Sequence, residues 1–386
     1  MADWASLPSD LLRRVGDDLL ADHDIDCFMN LRAVCRHWRS ATAKPGRDDL
    51  RFCPSQWVML EEASKVDGDS TRLFINVSTG RLLRRRLPLL RDHTLMAVST
   101  DGLLFFQKKY GYPASTRVLN PLTGSVLHFV SAMPTLTSRL IAAVAGSSDH
   151  LTLVLADHSD LRTYYDVGDD VCCAGPSTGL YGVDFSRPGP FLLASMLTYA
   201  GHIFIADLEG SIYKVVGEGR RCSGELIVEA LPSVHVQDVF LVESVGELLL
   251  VRRLSNTMEV FKVDIEGKVL EPVKSIGRRA LFLGERCLSV NADKLPSVDS
   301  NCIYSTWQLN FYRYDMKIGR EENIPSAFVC DRKCLRVRPF SLVQVLLTYC
   351  VLIPYEPVHP MSCIQPGHRV FGIEWEGERD TASFMW

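Results

Sequence analysis

The stretch "RVLNPLTG", residues 117–124, decides the fold. A β-branched and aliphatic run ends in Asn120, and a short polar turn then closes on Gly124. An amide or carboxylate there can bond to the backbone of its own turn. Glycine supplies a positive φ at no steric cost, so the segment reads as the bend of a β-hairpin. The plan recurs in "LFINVSTG" (73–80), "TYYDVG" (163–168), "SIYKVVG" (211–217), "VFKVDIEG" (260–267), "FYRYDMKIG" (311–319) and "VFGIEWEG" (370–377). The marker positions are Asn76, Asn120, Asp166, Val216, Asp264, Asp315 and Glu374. A repeat of roughly 40 to 50 residues in an all-β region is the signature of propeller blades, one four-stranded sheet per repeat. Seven markers predict seven blades. "RPFSLVQVLLTYC" (338–350) in the long last interval reads as an inserted helix, which would leave six.

The first 48 residues follow another period. "LPSDLLRRVGDDLL" (7–20) places Leu7, Leu11, Leu12, Val15 and Leu19 at three- and four-residue steps, which predicts an amphipathic helix capped by Ser6 or Ser9. In "LRAVCRHWRSA" (31–41), Leu31, Val34, Cys35, Trp38 and Ala41 share one face of a second helix, with Asp24 or Asp26 as its cap. "KPGRDD" (44–49) ends the pattern. The expected architecture is a small all-α domain at 1–48, then an all-β propeller of six or seven blades at 49–386. About 45 residues are too few to close a core alone, so the apolar stripe needs a second layer, either a partner or the first blade.

Composition narrows the function. A 47% hydrophobic fraction supports a full core, and the formal charge of −4 does not suit nucleic-acid binding as a main task. No secretion signal and no membrane span are read, so a cytoplasmic or nuclear location is expected. The twelve cysteines then read as reduced, mostly buried thiols, and "CDRKC" (330–334) lacks a second ligand pair at zinc-binding distance. "GPSTG" (175–179) has the G-x-S-x-G spacing, but Pro188 and Pro190 exclude the long helix a nucleophile elbow needs. "GEGRRC" (217–222) lacks the third glycine of a dinucleotide loop. "RLLRRRLP" (81–88) reads as a solvated strand edge, with an import patch or a site for an acidic partner as the alternatives. "NVS" at Asn76 is a glycosylation sequon by pattern only.

"LPSDLL" (7–12), followed some twenty residues later by Val34-Cys35-x-x-Trp38, resembles the F-box. "LNPLTG" (119–124), "YAGHIFIADLEGSIYKV" (199–215), "FLVESVGELLLVRR" (240–253), "RRALFLGERCLSV" (278–290) and "NCIYST" (301–306) resemble the plant F-box-associated β-propeller domain, abundant in cereals. The family's Gly-Asp-x-x-Trp element is absent from "DVGDDVCCAG" (166–175). The resemblance implies a non-catalytic substrate-receptor subunit of an SCF-type ubiquitin ligase. Its partners would be a Skp-type adaptor, a cullin reached through it, and an unknown target protein, without cofactor, metal, nucleic acid or membrane. Carried over, Leu7, Pro8, Leu11, Leu12 and Val15, with Leu31, Val34, Cys35 and Trp38, would contact the adaptor. The alternatives are a binding or inhibitory protein that works without ubiquitin transfer, and a propeller hydrolase. The hydrolase would need inward-facing carboxylates or histidines, and no convergent set is visible.

Overall fold

The computed structural model describes residues 4–46, 50–60, 70–109, 115–131, 140–146, 151–157, 171–187, 191–218, 221–231, 236–255, 257–307, 310–324 and 341–351. Six sheets follow one another along the described chain, the first five antiparallel and the last mixed. Blade 1 is β1 (Trp57–Leu60), β2 (Thr71–Asn76) and β3 (Leu82–Arg86). Blade 2 is β4 (His93–Val98), β5 (Leu104–Lys108), β6 (Thr116–Leu119) and β7 (Val126–Phe129). Blade 3 is β8 (Leu140–Ala145), β9 (Thr152–Asp157), β10 (Val171–Ala174) and β11 (Tyr181–Gly182). Blade 4 is β12 (Leu193–Tyr199), β13 (His202–Asp207), β14 (Ile212–Glu218) and β15 (Arg221–Val228). Blade 5 is β16 (Asp238–Ser244), β17 (Glu247–Arg253), β18 (Met258–Asp264) and β19 (Val269–Pro272). Blade 6 has five strands, β20 (Arg279–Phe282), β21 (Leu288–Asn291), β22 (Cys302–Trp307), β23 (Asn310–Asp315) and β24 (Arg320–Ile324), in the order β21-β20-β22-β23-β24, with β20 and β22 parallel.

The strands β4, β8, β12, β16 and β21 lie side by side in that order and set the blades around an axis. Burial follows the interfaces between blades. Leu153 and Phe105 pack between blades 2 and 3, Ile205 and Cys173 between 3 and 4, Leu250 and Ile212 between 4 and 5, and Leu281 and Val251 between 5 and 6. One larger cluster joins blades 6, 1 and 2 and closes the ring. It includes Trp57, Phe74, Phe106, Phe282 and Tyr304, and also Val343, Leu346 and Leu347 from α4 (Leu342–Val351). The helix expected in "RPFSLVQVLLTYC" is therefore present, packed on β1, β20 and β22, and the described residues form six blades.

The turn chemistry read from the sequence is local and recurs as expected in four places. Asn76 Oδ1 accepts from the N–H groups of Ser78 and Thr79, and Asn120 Oδ1 from Leu122 and Thr123. Asp264 Oδ1 accepts from Glu266 and Gly267, and Asp315 Oδ1 from Lys317 and Ile318. Gly80 and Gly124 take φ of +73° and +74°, while near Asp264 the positive φ falls on Lys268 instead of Gly267. Val216 is corrected: it pairs with Ser223 inside the β14–β15 hairpin, and the equivalent side chain of blade 4 is Asp207, one hairpin earlier. Asp166, Glu374 and Gly377 lie outside the described residues. Asn76 is buried with its side chain committed to its turn, which removes the sequon as a surface site.

Candidate functional site

Three helices precede the ring: α1 (Ser9–Ala21), α2 (Ile25–Ala33) and α3 (Arg36–Ala41). Pro8, not Ser6 or Ser9, is the N-cap of α1, and no side chain caps it. Pro8 has no N–H to satisfy, and its carbonyl accepts the first helical bond from Leu12. Asp24 caps α2 by accepting from Cys27 N–H, as its position implied. The single helix expected over 31–41 does not form. The chain turns extended at Cys35 (φ −157°, ψ 173°), and the Cys35 sulfur accepts from Trp38 N–H to start α3. Arg32 spans the break by donating to the carbonyls of Arg39, Thr42 and Ala43.

The other side of this helical unit belongs to the ring. Leu20, Ile25 and Phe28 sit in the same cluster as Phe52, Trp57 and Phe74. The Phe28 ring meets Phe52 edge-on at 5.4 Å, and the Trp57 indole N–H reaches the His23 carbonyl. Asn120 donates from Nδ2 to the Phe52 carbonyl at 2.7 Å, so a blade 2 hairpin holds the segment that leads out of the helices. The basic run is the solvated edge expected on one side only: β3 is an edge strand with Leu82, Arg84 and Arg86 exposed, whereas Arg81 and Arg85 turn to the helices. Arg81 bridges Asp24, at 2.9 Å, and Asp26, while Arg85 also pairs with Asp26. The Asp26 side chain is only 2% exposed. Burial works against the Arg81 charge, but Asp24, Cys27 and Asp26 hold its pKa above the ordinary value.

The nine residues carried over from the sequence separate by burial. Leu11, Val15 and Val34 are 46%, 44% and 59% exposed, and Pro8 is exposed beside them. Leu7, Leu31, Cys35 and Trp38 are half-buried. Leu12 is 0% exposed, so it is not a surface contact. Trp38 also has a prior commitment: its indole N–H donates to the Trp4 carbonyl at 3.1 Å. His37 similarly donates from Nε2 to the Leu7 carbonyl. Both bonds tie α3 to the chain ahead of α1. Trp4, which the periodicity did not single out, is 68% exposed. The result is a set of exposed apolar side chains on helices whose inner side is fixed to the ring.

A small cavity lies among the inner strands of the described blades. The cavity lined by Gln56, Thr100, Asp101, Thr198, Glu243 and Ser289 has a volume of about 30 Å³, enough to hold water. Burial raises the Asp101 carboxyl to about 6, and burial also raises Glu243. "GPSTG" follows β10 as a turn without a helix. Among the described residues no His, Cys, Asp and Glu group is arranged to hold a metal ion, and no helix is long and apolar enough to cross a membrane.

Fold and site together define a six-bladed β-propeller carrying a helical unit with exposed apolar side chains. The chain belongs to the KIB1-4 beta-propeller family, whose model matches residues 74–329, from the end of β2 to just beyond β24. Comparison with curated proteins finds no significant match. Among solved structures, a putative 6-phosphogluconolactonase from Bacteroides uniformis shares 14% identity over 70% of this chain and 82% of its own, with a TM-score of 0.33. YjhT shares 10% over 70% of this chain and 93% of its own (TM-score 0.31). A putative 6-phosphogluconolactonase from Bacteroides fragilis shares 12% over 73% and 96% (TM-score 0.30).

Proposed function

We propose that the protein is the substrate-receptor subunit of an SCF-type ubiquitin ligase, with the helical unit acting as an F-box and the propeller holding the target. The observation that carries this reading is the exposed set Leu11, Val15 and Val34 on helices whose inner side is already packed on blade 1. Isolated apolar residues on a surface are ordinary, whereas several on one small anchored unit mark an interaction face. The resemblance of "LPSDLL" and Val34-Cys35-x-x-Trp38 to the F-box supplies the partner, a Skp-type adaptor that leads to a cullin. The subunit catalyses nothing itself. It raises the rate by proximity, since a target held beside the ubiquitin donor reacts as if highly concentrated.

Co-purification of the full-length chain with a Skp-type adaptor tests the reading. Leu11→Glu with Val34→Glu places two charges on the open face and leaves Leu12, Leu20 and Phe28 untouched. Adaptor binding should fall at least a hundredfold while the β-sheet circular dichroism is unchanged. Undiminished binding by this variant, or no binding by the native chain, would sink the assignment.

A further inference from the structure

An ion cluster centred on one buried carboxylate, Asp26, with half-buried partners, needs a reason. Charged groups withdrawn from water give up hydration that their mutual attraction barely returns, and apolar side chains of similar size often stabilise as well or better. Yet Asp26 is buried between Arg81 and Arg85, with Asp24 beside it, at a seam already rich in apolar contact. Leu20, Ile25 and Phe28 already pack against blade 1, but apolar burial is non-directional and tolerates sliding and rotation. Charge-assisted bonds from guanidinium forks are directional. Both arginines come from one short piece of blade 1, the β2–β3 turn and β3, and both acids from the first turn of α2 and its cap. Together they fix one helix end against one hairpin.

We propose that Asp24, Asp26, Arg81 and Arg85 form a register key that sets the direction in which the open helical face points relative to the ring. In the ligase reading, on which only this significance rests, the key determines where the adaptor stands with respect to a bound target. Arg81 and Arg85 are positioning residues that touch no partner.

The test uses the full-length chain and no adaptor. Spin labels are introduced as non-canonical amino acids at Arg14 on α1 and Glu266 on the β18–β19 turn, both exposed, because the half-buried Cys27, Cys35 and Cys53 would compete for thiol reagents. Pulsed electron resonance should give one narrow distance distribution for the native chain. Asp26→Leu with Arg81→Met and Arg85→Met should at least double its width, while the melting temperature stays equal or rises. Arg81→Lys with Arg85→Lys keeps the charge but loses the fork, and should broaden the distribution to an intermediate width. A native distribution that is already broad, or equally narrow distributions in both variants, would overturn the proposal. Adaptor affinity should be the same in all three proteins, so a failure of the ligase reading would appear separately, through Leu11 and Val34.

Discussion

Phe28→Ala is the sharpest probe of whether the helices and the ring are one cooperative structure. Phe28 is fully buried, meets Phe52 edge-on, and lies so close to α1 that a Cβ on Gly16 would come within 3.2 Å of its ring. Truncating a buried phenylalanine costs about 3–5 kcal/mol in transfer and cavity terms. The aromatic pair adds about 0.5–1.5 kcal/mol that no neighbour can replace. A total near 5 kcal/mol, divided by a urea slope of about 3 kcal/mol/M, would lower a urea midpoint by about 1.5–2 M. Two probes should report it together: the fluorescence of Trp57, which sits at the seam, and the circular dichroism of the strands. Leu11→Ala on the open face is the control, expected within about 0.5 kcal/mol of native. If the fluorescence transition moved while the strand transition stayed, or if the cost were below about 1 kcal/mol, the helices would be a separable module and the shared core would carry no cooperativity.

Three further outcomes are expected. Asp101 is buried and its carboxyl is raised from 3.8 to about 6, so its charge opposes folding: the native chain loses stability as pH rises from about 4 through 6. Asp101→Asn keeps the acceptor for the Ser99 hydroxyl. It should match the native chain at pH 4 and exceed it at pH 8 by at most about 3 kcal/mol, read from melting curves across that range. Asn120→Asp preserves the turn bonds made by Oδ1 but loses the donor to the Phe52 carbonyl, and should cost about 1–3 kcal/mol in chemical denaturation. Gly102→Ala puts a Cβ 2.5 Å from the Pro54 carbonyl oxygen at φ +79°, and should lower the melting point more than the same change at Gly124, where nothing lies within 4 Å.

What the chain disclosed in advance was what it encodes locally. A side chain that bonds to its own turn needs only its neighbours, so Asn76, Asn120, Asp264 and Asp315 could be found by inspection. Val216 misled because Gly217, despite its positive φ, lies inside the β14–β15 ladder opposite Cys222 and does not close a turn there. The break at Cys35 was hidden because cysteine is a rare cap, and because an apolar stripe at helical spacing looks continuous across it. Distance defeated the rest. Asp26 and Arg81 stand 55 positions apart in sequence, so "RLLRRRLP" looked solvated on both sides until the fold brought a carboxylate to one of them. The open face was half legible: Leu11, Val15 and Val34 followed the period, whereas the burial of Leu12 and the exposure of Trp4 depend on how three helices meet.

The cluster that closes the ring has a consequence for the order in which the protein is made. Its members run from Leu20 to Cys350, so the earliest and the latest described parts of the chain share one core. Blades 2 to 5 can stack as they leave the ribosome, each on its predecessor. The helices, blade 1 and the far face of blade 6 have no complete neighbour until α4 emerges. Through most of synthesis Trp57 and Phe74 therefore wait without their final cover, and Phe282 joins them late. Contacts of such long sequence separation form last and slowly, and nascent chains that expose apolar surface while waiting are the ones that depend on chaperones. A ribosome stalled before residue 342 should hold such a chaperone-bound chain, and one stalled after α4 has emerged should have released it.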